Sequence, residues 1–107
     1  MNQRTRGLQR RLMYLENKEG DIDGKRARIG WVEFSRSGRS VCYRGRTLAS
    51  IRGSGVTGNF RDVETNEEYW VSGVKRDGKD ALHWQGHIAV VVDEDAREEY
   101  EAFMARK

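Results

Sequence analysis

Short segments rich in β-branched and aromatic residues recur along most of the chain, separated by glycines and other turn residues. Residues of this kind suit a pleated, half-buried surface, and turn signals at this spacing are typical of antiparallel hairpins. The pattern therefore predicts a meander of short strands. The six segments are "ARIGWVEFS" (27–35), "SVCYRG" (40–45), "RTLASI" (46–51), "NFRDV" (59–63), "EEYWVSGV" (67–74) and "HIAVVV" (87–92).

The first of these segments carries apolar residues on both of its faces. Strict alternation places Val32 and Phe34 on one face. Ile29, Trp31 and Glu33 lie on the other face. A strand that faced water on one side would be polar there. We therefore expect another element to cover part of each face.

The C-terminus changes to a helical period and supplies a candidate for that cover. Ala96, Tyr100, Phe103 and Met104 fall at helical spacing, and Asp93 precedes them as a candidate N-cap. We expect a short amphipathic helix whose aromatic stripe packs on the sheet.

Together these elements predict a mainly β fold: a small SH3-like or OB-like antiparallel barrel of five or six short strands with a C-terminal α-helix. An open sheet with one helix is the alternative. The chain of 107 residues suits a single domain, which we place at 13–107. Residues 1–12 form a basic arm that is either disordered or ordered by a polyanion.

The net charge of +3 belongs to the N-terminal arm, because Arg4, Arg6, Arg10 and Arg11 are not offset there by any acid. Within the domain, residues 25–61 hold nine basic side chains and one acid, whereas residues 62–107 hold twelve acids and six bases. This asymmetry indicates either an interaction surface or two charged regions that neutralise each other in the sheet.

A stretch that interleaves arginines with aromatic residues is the strongest candidate for a binding surface. Arginine offers a fork of donors to phosphate and a flat face to bases, so the hypothesis is a non-enzymatic module that binds nucleic acid. Gly45 would form a bulge that turns Arg44 and Arg46 to one side; otherwise the stretch is a solvated strand face. The candidate residues are Arg39, Tyr43, Arg44, Arg46, Arg52 and Arg61.

The alternative partner is another protein. An exposed strand edge or a set of large aromatic side chains would then carry the interaction, in a regulatory role. The aromatic residues concerned are Trp31, Tyr69, Trp70 and Trp84.

Several chemistries are disfavoured by local context. "GSGVTG" at 53–58 matches a dinucleotide-binding glycine pattern but leads into a strand-like segment, not a helix. His83 and His87 lack a helix and a third ligand, and Cys42, the one cysteine, is expected to be a half-buried strand residue. We expect no metal, no cofactor and no enzymatic activity. No apolar run reaches the length of a membrane helix, so a cytoplasmic location is expected.

Three segments resemble a group of small single-domain bacterial proteins: "YRGRT" at 43–47, "DVETNEEYWVSG" at 62–73 and "DEDAREEY" at 93–100. The similarity spans roughly residues 13–101. Some of those relatives bear the name of a thiamine-diphosphate-dependent deoxyxylulose-phosphate synthase, but a chain of this length has no room for the domains that bind that cofactor. The resemblance implies that these residues fold as one domain. It supplies no catalytic or binding residues.

Overall fold

The computed structural model describes residues 9–51, 58–75 and 90–105. These residues form seven strands, a 3-10 turn and one α-helix. In chain order they are β1 (Gln9–Asn17), β2 (Ala27–Phe34), β3 (Ser40–Tyr43), β4 (Arg46–Ser50), β5 (Phe60–Asp62), β6 (Glu68–Gly73), β7 (Val90–Val92), the 3-10 turn (Glu94–Ala96) and α1 (Arg97–Ala105).

The first six strands close into an antiparallel barrel in which chain neighbours are also sheet neighbours. β1 pairs with β2 along its length and with β6 on its other side, so the sheet returns to its first strand. The predicted mainly β barrel with a C-terminal helix is confirmed, and the open sheet is excluded. β7 lies outside the barrel and pairs in parallel with residues 27–29 of β2.

All six predicted segments contain a strand, although residues 87–89 of the last one lie outside the described residues. β1 was not predicted. It includes Gln9 to Leu12, which the sequence assigned to the basic arm, and these four residues pair with residues 31–34 of β2. The boundary drawn between Leu12 and Met13 therefore falls inside a strand.

The barrel interior is filled by one side of each strand, including Leu15, Val32, Val41, Leu48 and Tyr69, all of which are buried. A second apolar cluster lies on the outer face of β1 and β2. Its buried members are Tyr14, Ala27 and Ile29, and Val92 of β7 and Tyr100 of α1 pack against it. The expectation that both faces of β2 are covered is thus met by the barrel interior on one side and the C-terminal segment on the other.

The meander places its connections at two opposite ends of the barrel. One end holds the start of β1, the turn at 35–39 between β2 and β3, and the last residues of β4 and β6. The other end holds the connection at 18–26, the turn at 44–45 and the turn at 63–67. Arginines lie at both ends, with Arg36 and Arg39 in the turn at one end and Arg44 in the turn at the other.

Candidate nucleic-acid interface

Two tight hairpin turns meet at the second end of the barrel. Asp23 and Gly24 form one, and Arg44 and Gly45 form the other; all four residues have positive φ, as a type I′ turn requires. Tyr43 pairs directly with Arg46 across the second turn. The predicted bulge at Gly45 is therefore wrong, because Gly45 occupies the second central position of a two-residue turn.

The carboxylate of Asp23 binds both arginines of the neighbouring hairpin. Its Oδ2 accepts a hydrogen bond of 2.7 Å from Nε of Arg44, and its Oδ1 accepts one of 2.8 Å from Nη2 of Arg46. The hydrogen bond from Arg46, and to a smaller extent that from Arg44, holds the pKa of Asp23 well below its usual range. The same bonds raise the pKa values of both guanidinium groups. Arg44 and Arg46 do lie on the same side, but their charges are met by Asp23.

A second carboxylate, Asp93, is buried where β2 separates from β3. Its Oδ2 accepts a hydrogen bond of 2.5 Å from the hydroxyl of Tyr43, and its Oδ1 one of 3.0 Å from Nη1 of Arg28. Nη1 of Arg44 lies 3.7 Å from the same Oδ1. Asp93 is the N-cap residue of the 3-10 turn that follows it, as predicted, and its backbone oxygen accepts a hydrogen bond from the amide of Ala96. Its side chain makes no cap hydrogen bond, because the carboxylate is engaged by the barrel.

Tyr43 is a core residue, with only 3 % of its surface exposed. Burial, followed by the hydrogen bond to Asp93, raises the pKa of its hydroxyl above the usual range. A side chain enclosed in this way offers no face to a base. Tyr43 is thus removed from the predicted set of binding residues.

The hydrogen-bonded pair of Tyr43 and Asp93 requires a residue without a side chain at position 30. A Cβ atom on Gly30 would overlap Oδ2 of Asp93 and would come within 3.0 Å of the Tyr43 ring. Glycine at this position lets the Asp93 carboxylate pass close to the backbone of β2 and reach the Tyr43 hydroxyl.

The other predicted arginines do not join Arg44 and Arg46. Arg39 is exposed at the opposite end of β3, roughly 16 Å away at the rise of an extended strand. Arg61 lies on β5, where its Nη2 is 3.9 Å from Oε2 of Glu68. Arg52 lies outside the described residues. The predicted residues therefore do not form one basic face.

The residues proposed for a protein partner are also divided. Tyr69 is buried in the barrel interior and Trp84 lies outside the described residues. Trp70 is half-buried and packs against the outer apolar cluster. Among the described strands each barrel strand has a neighbour on both sides, so only β7 could offer an edge. Trp31 is half-buried and lines a polar cleft.

Four arginines at the first end of the barrel make no ion pair with any residue that the structure describes. We call this region, made of Arg10, Arg11, Arg36 and Arg39, the basic end. All four are exposed. The register of β1 against β2 sets Arg10 beside Glu33 and Arg11 beside Val32, next to the turn that carries the other two. The barrel is thus polarised, with unpaired cations at one end and ion-paired arginines at the other.

The sequence interpretation missed three of these four arginines. The charge of Arg10 and Arg11 indicated an arm, and Arg36 is not among the residues that the sequence predicted. The apolar run "LMYL" directly after Arg11 was the available signal that a strand begins there.

A cleft of about 310 Å³ lies on the outer face of β1, β2 and β3, and its lining reaches from Arg10 of the basic end to the turn at 44–45. Its aromatic wall is Trp31, whose Nε1 donates a 3.1 Å hydrogen bond to the backbone oxygen of Asp95. The guanidinium of Arg10 lies 4.1 Å from the centre of the Trp31 ring. We call this the Trp31 cleft; it is lined by Arg10, Trp31, Glu33, Cys42, Tyr43, Arg44, Gly45 and Asp95.

Cys42, which the sequence placed as half-buried, is exposed in this cleft. It points outward from β3 beside Glu33 of β2, in the face opposite the core residues Val41 and Tyr43. The expectation of a partly buried thiol is therefore wrong: no apolar residue of a second layer covers this part of the described outer face.

The remaining sequence motifs have structural roles or fall outside the described part of the chain. Gly58, the last glycine of "GSGVTG", leads into β5, and a Cβ on it would overlap the backbone of Tyr69. His83 and His87 lie outside the described residues. Within those residues no group of three or more His, Cys, Asp or Glu side chains could hold a metal ion. Nor is any described helix long and apolar enough to cross a membrane.

Comparison with protein-family models, with curated proteins and with solved structures found no match for this chain. The resemblance of its three segments to the small bacterial proteins stays a prediction.

Proposed function

We propose that this domain is a non-enzymatic module that binds nucleic acid through the basic end of its barrel. The observation that carries the proposal is that Arg10, Arg11, Arg36 and Arg39 lie at the same end of the barrel, exposed and with no carboxylate partner among the described residues. Unpaired guanidinium groups retain their full attraction for phosphate oxygens, to which they present two donors in one plane.

Charge pairing elsewhere supports the assignment to this end. Arg44 and Arg46 share Asp23, while Arg28 is bound to the buried Asp93. Releasing these arginines for a phosphate would leave a carboxylate without its partner, which is costly where that carboxylate is buried. Binding at the basic end breaks no ion pair of the described residues.

Trp31 and the cleft beside the basic end support nucleic acid over a simple anion. Small barrels that bind nucleic acids combine a basic surface along the phosphates with aromatic side chains on which bases stack. Trp31 supplies a half-buried aromatic side chain, and the Arg10 guanidinium over its ring adds a planar cation on which a base can stack. A cytoplasmic location belongs to this proposal and is consistent with the exposed free thiol of Cys42.

Backbone amide spectra recorded during titration with a thymidine 12-mer test this proposal. We expect the largest shifts at Arg10, Arg11 and the turn at 35–39, with little change at Asp23 and at 44–46. The proposal is wrong if no shifts occur at physiological salt, or if they are confined to the end where Asp23 binds its two arginines.

A further inference from the structure

We infer that the Trp31 cleft binds one unpaired guanine base of a single strand. This inference rests on the proposed function and adds the class of base and strand that the interface selects. Three features carry it: the contact of the Arg10 guanidinium with the Trp31 ring, the exposed carboxylate of Glu33, and the size of the cleft.

The planar groups in the cleft form a platform for a base. The hydrogen bond from Nε1 of Trp31 to the backbone oxygen of Asp95 holds the indole ring in one orientation. The Arg10 guanidinium, 4.1 Å from the ring centre, is a second plane on which a base stacks. Arg44, which is held by Asp23, forms the far wall of the cleft.

Glu33 is the feature that distinguishes a base from a phosphate. It is exposed, it lies across from Arg10 in the strand register, and it has no hydrogen bond or ion pair with any described residue. A carboxylate beside a phosphate-binding surface repels phosphate, so Glu33 opposes purely electrostatic binding. It accepts N–H donors instead, and guanine carries two adjacent donors, N1–H and the 2-amino group, that match the two carboxylate oxygens.

The dimensions of the cleft suit one nucleoside. Its volume of about 310 Å³ lies at the lower end of small-molecule sites, which run from roughly 300 to 1,000 Å³. The donor edge of guanine that Glu33 would contact is occupied by cytosine in a duplex. The cleft therefore accepts guanine only from an unpaired strand.

Thymidine 12-mers that carry one central deoxyguanosine, deoxyinosine or deoxyadenosine, or only thymidine, test this inference by fluorescence anisotropy at a fixed salt concentration. Inosine retains N1–H and lacks the 2-amino group, so it isolates one of the two hydrogen bonds. We expect the guanosine strand to bind about fivefold or more tightly than the other three.

Glu33→Gln is the informative variant because its two expected effects have opposite signs. It removes the preference for guanosine over inosine, yet it raises the affinity for the all-thymidine strand, since one repulsive charge is lost. Glu64→Gln, an exposed acid at the other end of the barrel, is the matched control and should change neither quantity. Thermal melting confirms that both variants are folded.

The outcomes separate this inference from the proposed function. If no strand binds, both are wrong. If all four strands bind alike and Glu33→Gln raises every affinity by the same factor, the module binds nucleic acid but the Trp31 cleft does not select guanine. An unchanged ratio of guanosine to inosine binding in Glu33→Gln likewise overturns the inference.

Discussion

The hydroxyl of Tyr43 donates a 2.5 Å hydrogen bond to Oδ2 of Asp93, and both side chains are buried. Tyr43 ends β3, whereas Asp93 directly follows β7, so the bond fastens the C-terminal segment to the barrel. The hydrogen bond from Arg28 to the other carboxylate oxygen balances the buried charge. The same arrangement withdraws the Tyr43 ring from the surface.

Replacing Tyr43 by phenylalanine should destabilise the domain by about 1.5–3 kcal/mol, because the buried Asp93 carboxylate loses a hydrogen-bond donor. Urea unfolding followed by circular dichroism measures the change. Cys42→Ser is the matched control, since Cys42 is the exposed neighbour on the same strand, and it should stay within about 0.5 kcal/mol of the parent. Equal stabilities of the two variants would show that the bond contributes little.

Gly30→Ala should lower the free energy of unfolding by roughly 1–3 kcal/mol, because the added methyl group would occupy the position of the Asp93 carboxylate. Gly73→Ala is the comparison. Gly73 is the last residue of β6, another strand of the barrel, and nothing lies within 4 Å of a Cβ placed there. Thermal unfolding should separate the two alanine variants clearly, and a tolerated Gly30→Ala would contradict the described packing of Asp93.

Alkaline pH should destabilise the domain through Tyr43. Burial raises the pKa of the folded-state hydroxyl above the value of about 10 expected in the unfolded chain. As the pH rises, the tyrosine hydroxyl therefore loses its proton in the unfolded chain before it does so in the folded protein. The free energy of unfolding is unaffected by this group below about pH 10, and above it falls by at most about 1.4 kcal/mol per pH unit. In urea unfolding between pH 9 and 11, Tyr43→Phe should show a shallower decline. Parallel curves would exclude this linkage. The buried Tyr69, whose pKa burial also raises, contributes in the same direction in both proteins.

The strands and the helix were predictable because their signals are local. Alternation, turn glycines and the change of period near Asp93 each occupy a few consecutive residues. β1 escaped prediction because Arg10 and Arg11 at its start carry the charge that indicated an arm. The apolar residues that follow are those of a strand covered on both faces, with Met13 and Leu15 packed in the interior and Leu12 and Tyr14 in the outer cluster.

The candidate site was less predictable because it depends on contacts between distant parts of the chain. Asp23 binds Arg44 and Arg46 because two separate hairpin turns meet at one end of the barrel. No spacing rule in the sequence relates residues 21 positions apart on different hairpins. The same holds for Arg10, which reaches Trp31 through the β1–β2 register.

Residues 9–12 should contribute to stability as part of β1. The chain lacking residues 1–12 loses four backbone pairs with β2 and the half-buried Leu12, whereas the chain lacking residues 1–8 keeps them. We expect the shorter protein to melt several degrees lower than the chain that begins at Gln9. Identical melting temperatures would show that these residues act as an arm.

The salt dependence of binding to a thymidine 12-mer tests the central claim most directly, in two variants matched for net charge. Arg36→Gln/Arg39→Gln changes the basic end, and Arg44→Gln/Arg46→Gln changes the arginines held by Asp23. Each lost phosphate contact lowers the slope of log K against log salt by about 0.7. We predict a reduction of roughly 1.4 for the first variant and little change for the second. The reverse order, in folded proteins, would place the interface at the other end of the barrel and contradict the account.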